Sequence, residues 1–209
     1  MRKLLLFVTV ALMSLSLSAQ DGLKGVWFAG GQLSFGSDKE HKAAGELKTT
    51  NTTALPIIGT FVTPSVAVGA GLGYMGSNQK IEGETINKSN SLVVKPLVRK
   101  YWNIAGGLYF YGQAAVPFIM GSGEKGEVGV PKGKYDNLSV ALELAPGFDY
   151  VINSWITIET SFTIASLGYK RTKPDGGRSD SSFKFDANPF NSIGDRTVGE
   201  LQVGVKFLF

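Results

Sequence analysis

Cysteine is absent from the 209 residues, and histidine occurs once. Without thiols the chain can form neither disulfides nor thiolate metal sites, and a lone imidazole leaves a zinc site without its usual ligands. Net charge is also scarce: 21 Lys and Arg stand against 17 Asp and Glu. Arg2 and Lys3 account for two of the basic residues, so the rest of the chain carries a net charge of about +2. Nucleic-acid binding calls for a basic face that this balance does not supply. Beyond Leu17 no apolar run approaches the roughly 20 residues of a spanning helix, and no segment repeats its apolar residues with a helical period.

What is present at the start is an export leader. Arg2 and Lys3 precede an apolar run from Leu4 to Leu17, and small residues follow at Ser16, Ser18 and Ala19. That order of charged, apolar and small residues marks a secretory signal. Cleavage is expected after Ser18 or Ala19, so residues 1–19 are read as the signal and 20–209 as one domain. No Cys follows to carry a lipid anchor.

The rest of the chain is patterned with a period of two. In ELQVGVKFLF, Leu201, Val203, Val205, Phe207 and Phe209 alternate with Glu200, Gln202, Gly204 and Lys206. Such alternation gives a strand one apolar and one polar face. Seven earlier segments repeat it, near 25–35, 53–62, 66–75, 91–102, 107–120, 138–151 and 155–169. Their expected apolar faces include Trp27, Leu33 and Phe35; Leu55, Ile57 and Phe61; and Leu138, Leu142 and Phe148. The connections alternate in length. Short turns are expected near Pro64, Gly106 and Ser154, and long loops over 36–52, 76–90, 121–137 and 170–196. The long connections hold 14 basic and 12 acidic residues.

Little charge is left for the strands, and Lys95, Arg99, Glu143, Glu159, Glu200 and Lys206 within it fall on their less apolar faces. Gln113 and Gln202 share those faces. An Arg or Lys facing lipid near midplane costs about 2–4 kcal/mol, whereas charges facing an enclosed interior can pair. Aromatic residues cluster toward the segment ends: Trp27, Phe61, Trp102, Tyr150, Trp155, Phe207 and Phe209 at the short-turn end, Phe35, Tyr74, Phe118 and Tyr169 at the other. Amphipathic rings favour headgroup depth, and an amphipathic sheet in hydrocarbon has to close to satisfy its backbone.

With its leader, eight alternating segments, three tight turns, four long connections and terminal Phe209, the chain resembles the small eight-stranded outer-membrane barrels of Gram-negative bacteria, the OmpX-like and OmpA-like group. PIIGTFVTPSVAVGAGLGY is similar to the second hairpin of that family, and PLVRKYW to its next strand, with Arg99 as the interior arginine. The resemblance implies an all-β, eight-stranded antiparallel up-and-down transmembrane barrel. It implies a monomer in contact with outer-membrane lipids. It also implies that Val203, Val205, Phe207 and Phe209 are read by the barrel-insertion machinery. Peptidoglycan binding, a property of the longer OmpA-like members, is not implied.

Four features bear on chemistry. Lys95, Arg99, Gln113, Glu143, Glu159, Glu200, Gln202 and Lys206 suit a plug of ion pairs and hydrogen bonds, or a gated ion path. GLGYMG at 71–76 matches a dinucleotide fingerprint, but no helical pattern follows to receive a pyrophosphate. His41 lies among Lys39, Glu40 and Lys42, where nothing fixes it for catalysis. Lys170, Arg171, Lys173, Arg178, Lys184 and Arg196, interleaved with Phe183, Phe185 and Phe190, form either a solvated loop or a contact with lipopolysaccharide phosphates. The expectation is a protein without enzymatic activity, cofactor, metal or nucleic-acid partner, acting structurally or by surface contact. Two alternatives are a lipid-modifying membrane enzyme and a soluble exported lipocalin-like barrel, in which the apolar faces would point inward.

Overall fold

The computed structural model describes residues 23–42, 45–187 and 201–209. The expected leader, Glu200 and Arg196 lie outside these residues. Among the described residues the chain is all-β, with no helix. Its strands are β1 (Trp27–Lys42), β2 (Gly45–Thr63), β3 (Val66–Ile81), β4 (Glu84–Ala105), β5 (Leu108–Ala115), β6 (Phe118–Lys125), β7 (Gly133–Asn153), β8 (Ile156–Phe162), β9 (Ala165–Pro174), β10 (Asp180–Asp186) and β11 (Leu201–Leu208).

Every pairing is antiparallel, and the pairings form a circuit. They run from β1 through β2, β3 and β4, across β5 and β6 to β7, then through β8 to β11 and back to β1. β5 and β6 are two lengths of one strand. Leu97 opposes Ala115 and Val94 opposes Phe118, so the register runs unbroken across Val116 and Pro117. The ladder lapses there because proline has no N–H to donate; Val116 N still donates to Pro96 O at 3.0 Å.

β8 and β9 differ from this. Gly147 opposes Ser161, but Leu144 opposes Ala165, so the register slips by one residue between them. A one-residue bulge exchanges the two faces. Before it Thr157 is buried and Ile158 exposed; beyond it the odd-numbered Leu167 and Tyr169 are exposed.

The three short turns form as the sequence suggests. Thr63 Oγ1 accepts from the N–H groups of Ser65 and Val66 at 3.3 and 2.9 Å. Asn153 Oδ1 accepts from those of Trp155 and Ile156 at 3.0 Å each. Such side-chain acceptors hold tight turns.

The expected long loops are a correction. β1 and β2 stay paired to Lys42↔Gly45, and β3 reaches β4 through Glu82 and Gly83 alone. Both of those residues have positive φ, +50° and +89°, which suits the type I′ hairpin. β7 begins at Gly133, and much of 170–187 belongs to β9 and β10. These polar strands were hidden because a strand wet on both faces carries no apolar alternation, while its backbone still gains from pairing.

A second correction concerns β2. Leu55 and Phe61, expected on the exposed apolar face, are buried, and Ile58 and Val62 are exposed. Both phases of this strand are apolar, so alternation alone cannot choose between them. Packing does. Gly59 opposes Phe28, and a side chain there would overlap the Phe28 ring. Phe61 therefore joins the core rather than the exposed aromatic set. That core lies on the buried face near the short turns and consists of Phe28, Phe61, Ala67, Tyr101, Tyr111 and Leu208.

Candidate functional site

The buried face is layered, and the layers follow from strand alternation. At the turn end, Phe28 meets Phe61 edge-on at 6.0 Å between ring centroids. Phe61 meets Tyr101 at 5.1 Å, and Tyr101 meets Tyr111 at 5.3 Å. These aromatics close the enclosed space on that side.

An ionic layer rests on the rings. Arg99 Cζ lies 4.8 Å from the Tyr111 centroid, and Lys206 Nζ 5.3 Å from that of Tyr101. Cations over aromatic faces gain from the ring quadrupole. The Arg99 guanidinium donates through Nη1 to Glu159 Oε2 at 2.7 Å, through Nη2 to Glu159 Oε1 at 3.3 Å, and through Nε to Gln113 Oε1 at 2.8 Å. Lys206, 1% exposed, donates to Asp149 and to the Tyr101 hydroxyl at 3.3 Å, and lies 3.5 Å from Glu159. A further pair stands apart from this cluster: Lys95 donates to Glu143 at 2.7 Å.

Three cations thus face three carboxylates. Their partners are not sheet neighbours. Arg99 and Glu159 join β4 to β8, Lys206 and Asp149 join β11 to β7, and Lys95 and Glu143 join β4 to β7. The bonds therefore tie strands across the enclosed face, beyond what the backbone ladders already hold.

Past the ionic layers the buried face turns to hydroxyls and carboxamides. Ser77 donates to Asn51 at 2.8 Å, Asn87 to Gln79 at 3.3 Å, and Tyr135 to Asn87 at 3.2 Å.

Of the residues singled out in the sequence, Lys95, Arg99, Gln113, Glu143, Glu159 and Lys206 come together in these two ionic layers. Gln202 borders the same space. Asp149, Tyr101 and Tyr111 complete the network without having been singled out. Their signal was parity: Tyr101 follows Arg99 by two residues, and Asp149 follows Glu143 by six.

Val203, Val205, Phe207 and Phe209 lie on the exposed face, where the Phe207 ring stacks on Trp155 at 6.1 Å. Their neighbour Leu201 has no described side chain. The basic residues expected to act together are divided. Lys170 opposes Ser139 and Ser182 and shares its face with Lys184, which pairs with Asp186 at 2.9 Å. Arg171 and Lys173 alternate with them and share the exposed face of Tyr169 and Phe183. His41 lies opposite Glu46 near the end of β1, and GLGYMG lies within β3.

Comparison of the sequence with protein-family models and with curated proteins finds no significant match.

Proposed function

We propose that the chain is a non-enzymatic, eight-stranded up-and-down barrel that spans the outer membrane. On this reading it is exported by its leader, delivered through the insertion machinery, and surrounded by lipid as a monomer. Its paired hairpins beyond the membrane present a polar surface for structural or adhesive contact.

One observation carries this reading: the polarity of the two faces is inverted. Val203 is 69% exposed, while Arg99 and Lys206 are 4% and 1% exposed. Leu142, Leu144, Phe148 and Ile158 are exposed on the strands that bury Glu143, Asp149 and Thr157. In water this arrangement would sacrifice apolar burial and desolvate charges together. In a bilayer the apolar faces are covered by acyl chains, and the charges, kept from lipid, pair with one another inside. The lipocalin-like alternative requires the opposite orientation.

The dimensions agree. A strand tilted by about 40° rises about 2.6 Å per residue along the membrane normal. On β4 the outward-facing positions from Leu92 to Trp102 are apolar except for Lys100, whose ammonium reaches Ser65 in the β2–β3 turn at 2.7 Å; they then span about 26 Å, close to the apolar band of such barrels. Trp27, Trp102, Tyr150 and Trp155 are exposed at the turn end, and Phe35, Tyr74, Phe118 and Tyr169 toward the other, as two interfacial girdles would be. The six inward-facing charges neutralise one another and lie above an aromatic seal, which suits a structural plug rather than an ion path; wide aqueous channels need roughly 16 strands.

Arginine scanning tests the reading. Leu142→Arg, at an exposed position within the band, should cost about 2–4 kcal/mol in refolding into lipid vesicles. Thr49→Arg, beyond the band, should cost less than about 1 kcal/mol. Equal and negligible costs at both positions, with the mature chain soluble without detergent, would refute a membrane location.

A further inference from the structure

The circuit of strands has one thin seam. Among the described residues β1 pairs with β11 only through Phe28↔Leu208 and Ala29↔Phe207, although β1 continues to Lys42 and β11 extends back to Leu201. β1 remains fully paired with β2 over the same length. The ladder to β11 ends where β1 reaches Gly30 and Gly31. Gly31 has φ +149°, and a Cβ there would lie 2.6 Å from the Leu55 carbonyl oxygen, so the backbone turns aside at a position only glycine accepts. The two strands still lie side by side: a Cβ on Gly30 would sit 3.2 Å from the Val205 carbonyl oxygen.

Two spaces meet at this seam. On the exposed side is a groove of about 380 Å³, lined by Ala29, Leu33, Pro56, Val205 and Phe207. On the other side is a polar cavity of about 90 Å³, bordered by Lys95, Arg99, Gln113, Glu159, Ser161 and Gln202. Gly31, Leu33 and Leu55 border both. Leu33 and Val203, 84% and 69% exposed, belong to the outer face, yet they border the cavity that holds the buried Arg99. The shared residues set the groove and the cavity side by side at the seam.

We propose that this seam binds a single-chain anionic amphiphile, a long-chain carboxylate, with its acyl chain in the outer groove and its carboxylate reaching through to Lys95. The proposal rests on the barrel reading, which places the groove against acyl chains. The lining chooses the occupant. The groove's side chains are all apolar. The cavity, at about 90 Å³, has room for a carboxylate. Lys95 gives one hydrogen bond to Glu143, and an ammonium carries three donors. A carboxylate can take the donors that Glu143 leaves unused through charge-assisted hydrogen bonds.

The test uses the full mature chain in phosphatidylcholine vesicles, with chain-spin-labelled stearate, its methyl ester and spin-labelled phosphatidylcholine as probes. Electron spin resonance reads the motionally restricted fraction of each. Stearate should exceed its methyl ester about tenfold in relative affinity, the factor one charge-assisted hydrogen bond carries. Lys95→Gln with Glu143→Gln, which leaves no unpaired buried charge, should abolish that excess. A Leu33→Cys, Val203→Cys pair provides a second handle. Continuing the Phe28↔Leu208 register sets these positions opposite each other, and no other cysteine competes. Oxidation should remove the excess and reduction restore it in the same molecules. Equal restriction of stearate and ester, or an excess that survives both the double glutamine variant and oxidation, overturns the seam site. Restricted phosphatidylcholine in that same experiment shows that the barrel reading stands regardless. A chain that restricts none of the three probes removes both.

Discussion

Arg99 grips Glu159 with two parallel hydrogen bonds, at 2.7 and 3.3 Å, although β5, β6 and β7 separate their strands in the sheet order. A guanidinium fork matched to a carboxylate constrains direction as well as distance, so this pair fixes how the opposed walls face each other. Arg99→Lys should keep the charge and lose the fork, the Gln113 bond included. The expected cost is about 1.5–3 kcal/mol, measured by urea titration of the refolded chain. Stability equal to the parent would show that the fork contributes nothing.

Glu143→Ala leaves the Lys95 ammonium on the buried face without its partner. Breaking a buried pair on one side costs about 3–5 kcal/mol. Both side chains keep some exposure, 18% and 10%, so the lower part of that range is expected. The temperature at which folded and unfolded forms exchange on a gel should fall, and Lys95→Met with Glu143→Met should recover most of the loss. An unchanged exchange temperature in Glu143→Ala contradicts this account.

Gly147 lies where β7 passes the Tyr111 ring. A Cβ at that position would overlap the Thr160 carbonyl and come within 2.5 Å of Tyr111 Cζ. Because one obstacle is backbone, a rotamer change cannot clear it. Gly147→Ala should cost about 1–3 kcal/mol, whereas Gly168→Ala, whose nearest neighbour would lie at 3.6 Å, should be close to neutral. Equal stabilities for the two variants would count against the packing described.

Lys39 donates to Glu46 at 2.8 Å near the tip of the β1–β2 hairpin and, with its charge, holds the Glu46 carboxyl below the ordinary value of 4.5. A depressed carboxyl adds stability above its unfolded value and loses it as pH falls through the folded one. Amide exchange around Glu46 should therefore accelerate selectively as pH falls below 4.5, relative to the β3–β4 turn. Lys39→Gln should remove that selectivity. A parallel response of both turns at every pH would dismiss the pair.

Arg171 and Lys173 share the exposed face of Tyr169 and Phe183, while Lys170 and Lys184 face the other way. On the proposed membrane location, the first pair rather than the second would meet lipid phosphates, beside Tyr169 and Phe183. Arg171→Ser with Lys173→Ser should weaken binding to lipopolysaccharide-containing vesicles, and Lys170→Ser with Lys184→Ser should not. Matching effects from the two pairs would place the contact elsewhere.

Sequence alone determined the strands that alternate and, for β4, β7 and β11, which face is apolar. Val203, Val205 and Phe207 against Gln202, Gly204 and Lys206 admit one reading, because each side chain's face follows from its parity along the chain. Much of the candidate site was legible for the same reason: Lys95, Arg99, Glu143, Glu159 and Lys206 interrupt otherwise apolar or neutral strands. Tertiary structure decided what parity leaves open. β2 is apolar in both phases, and only the fit of Phe28 against Gly59 selects the one that buries Leu55 and Phe61. The slip between β8 and β9, the pairing of Lys206 with Asp149 and the short ladder between β1 and β11 depend on register. Register is set between strands far apart in the chain, where no local pattern reaches.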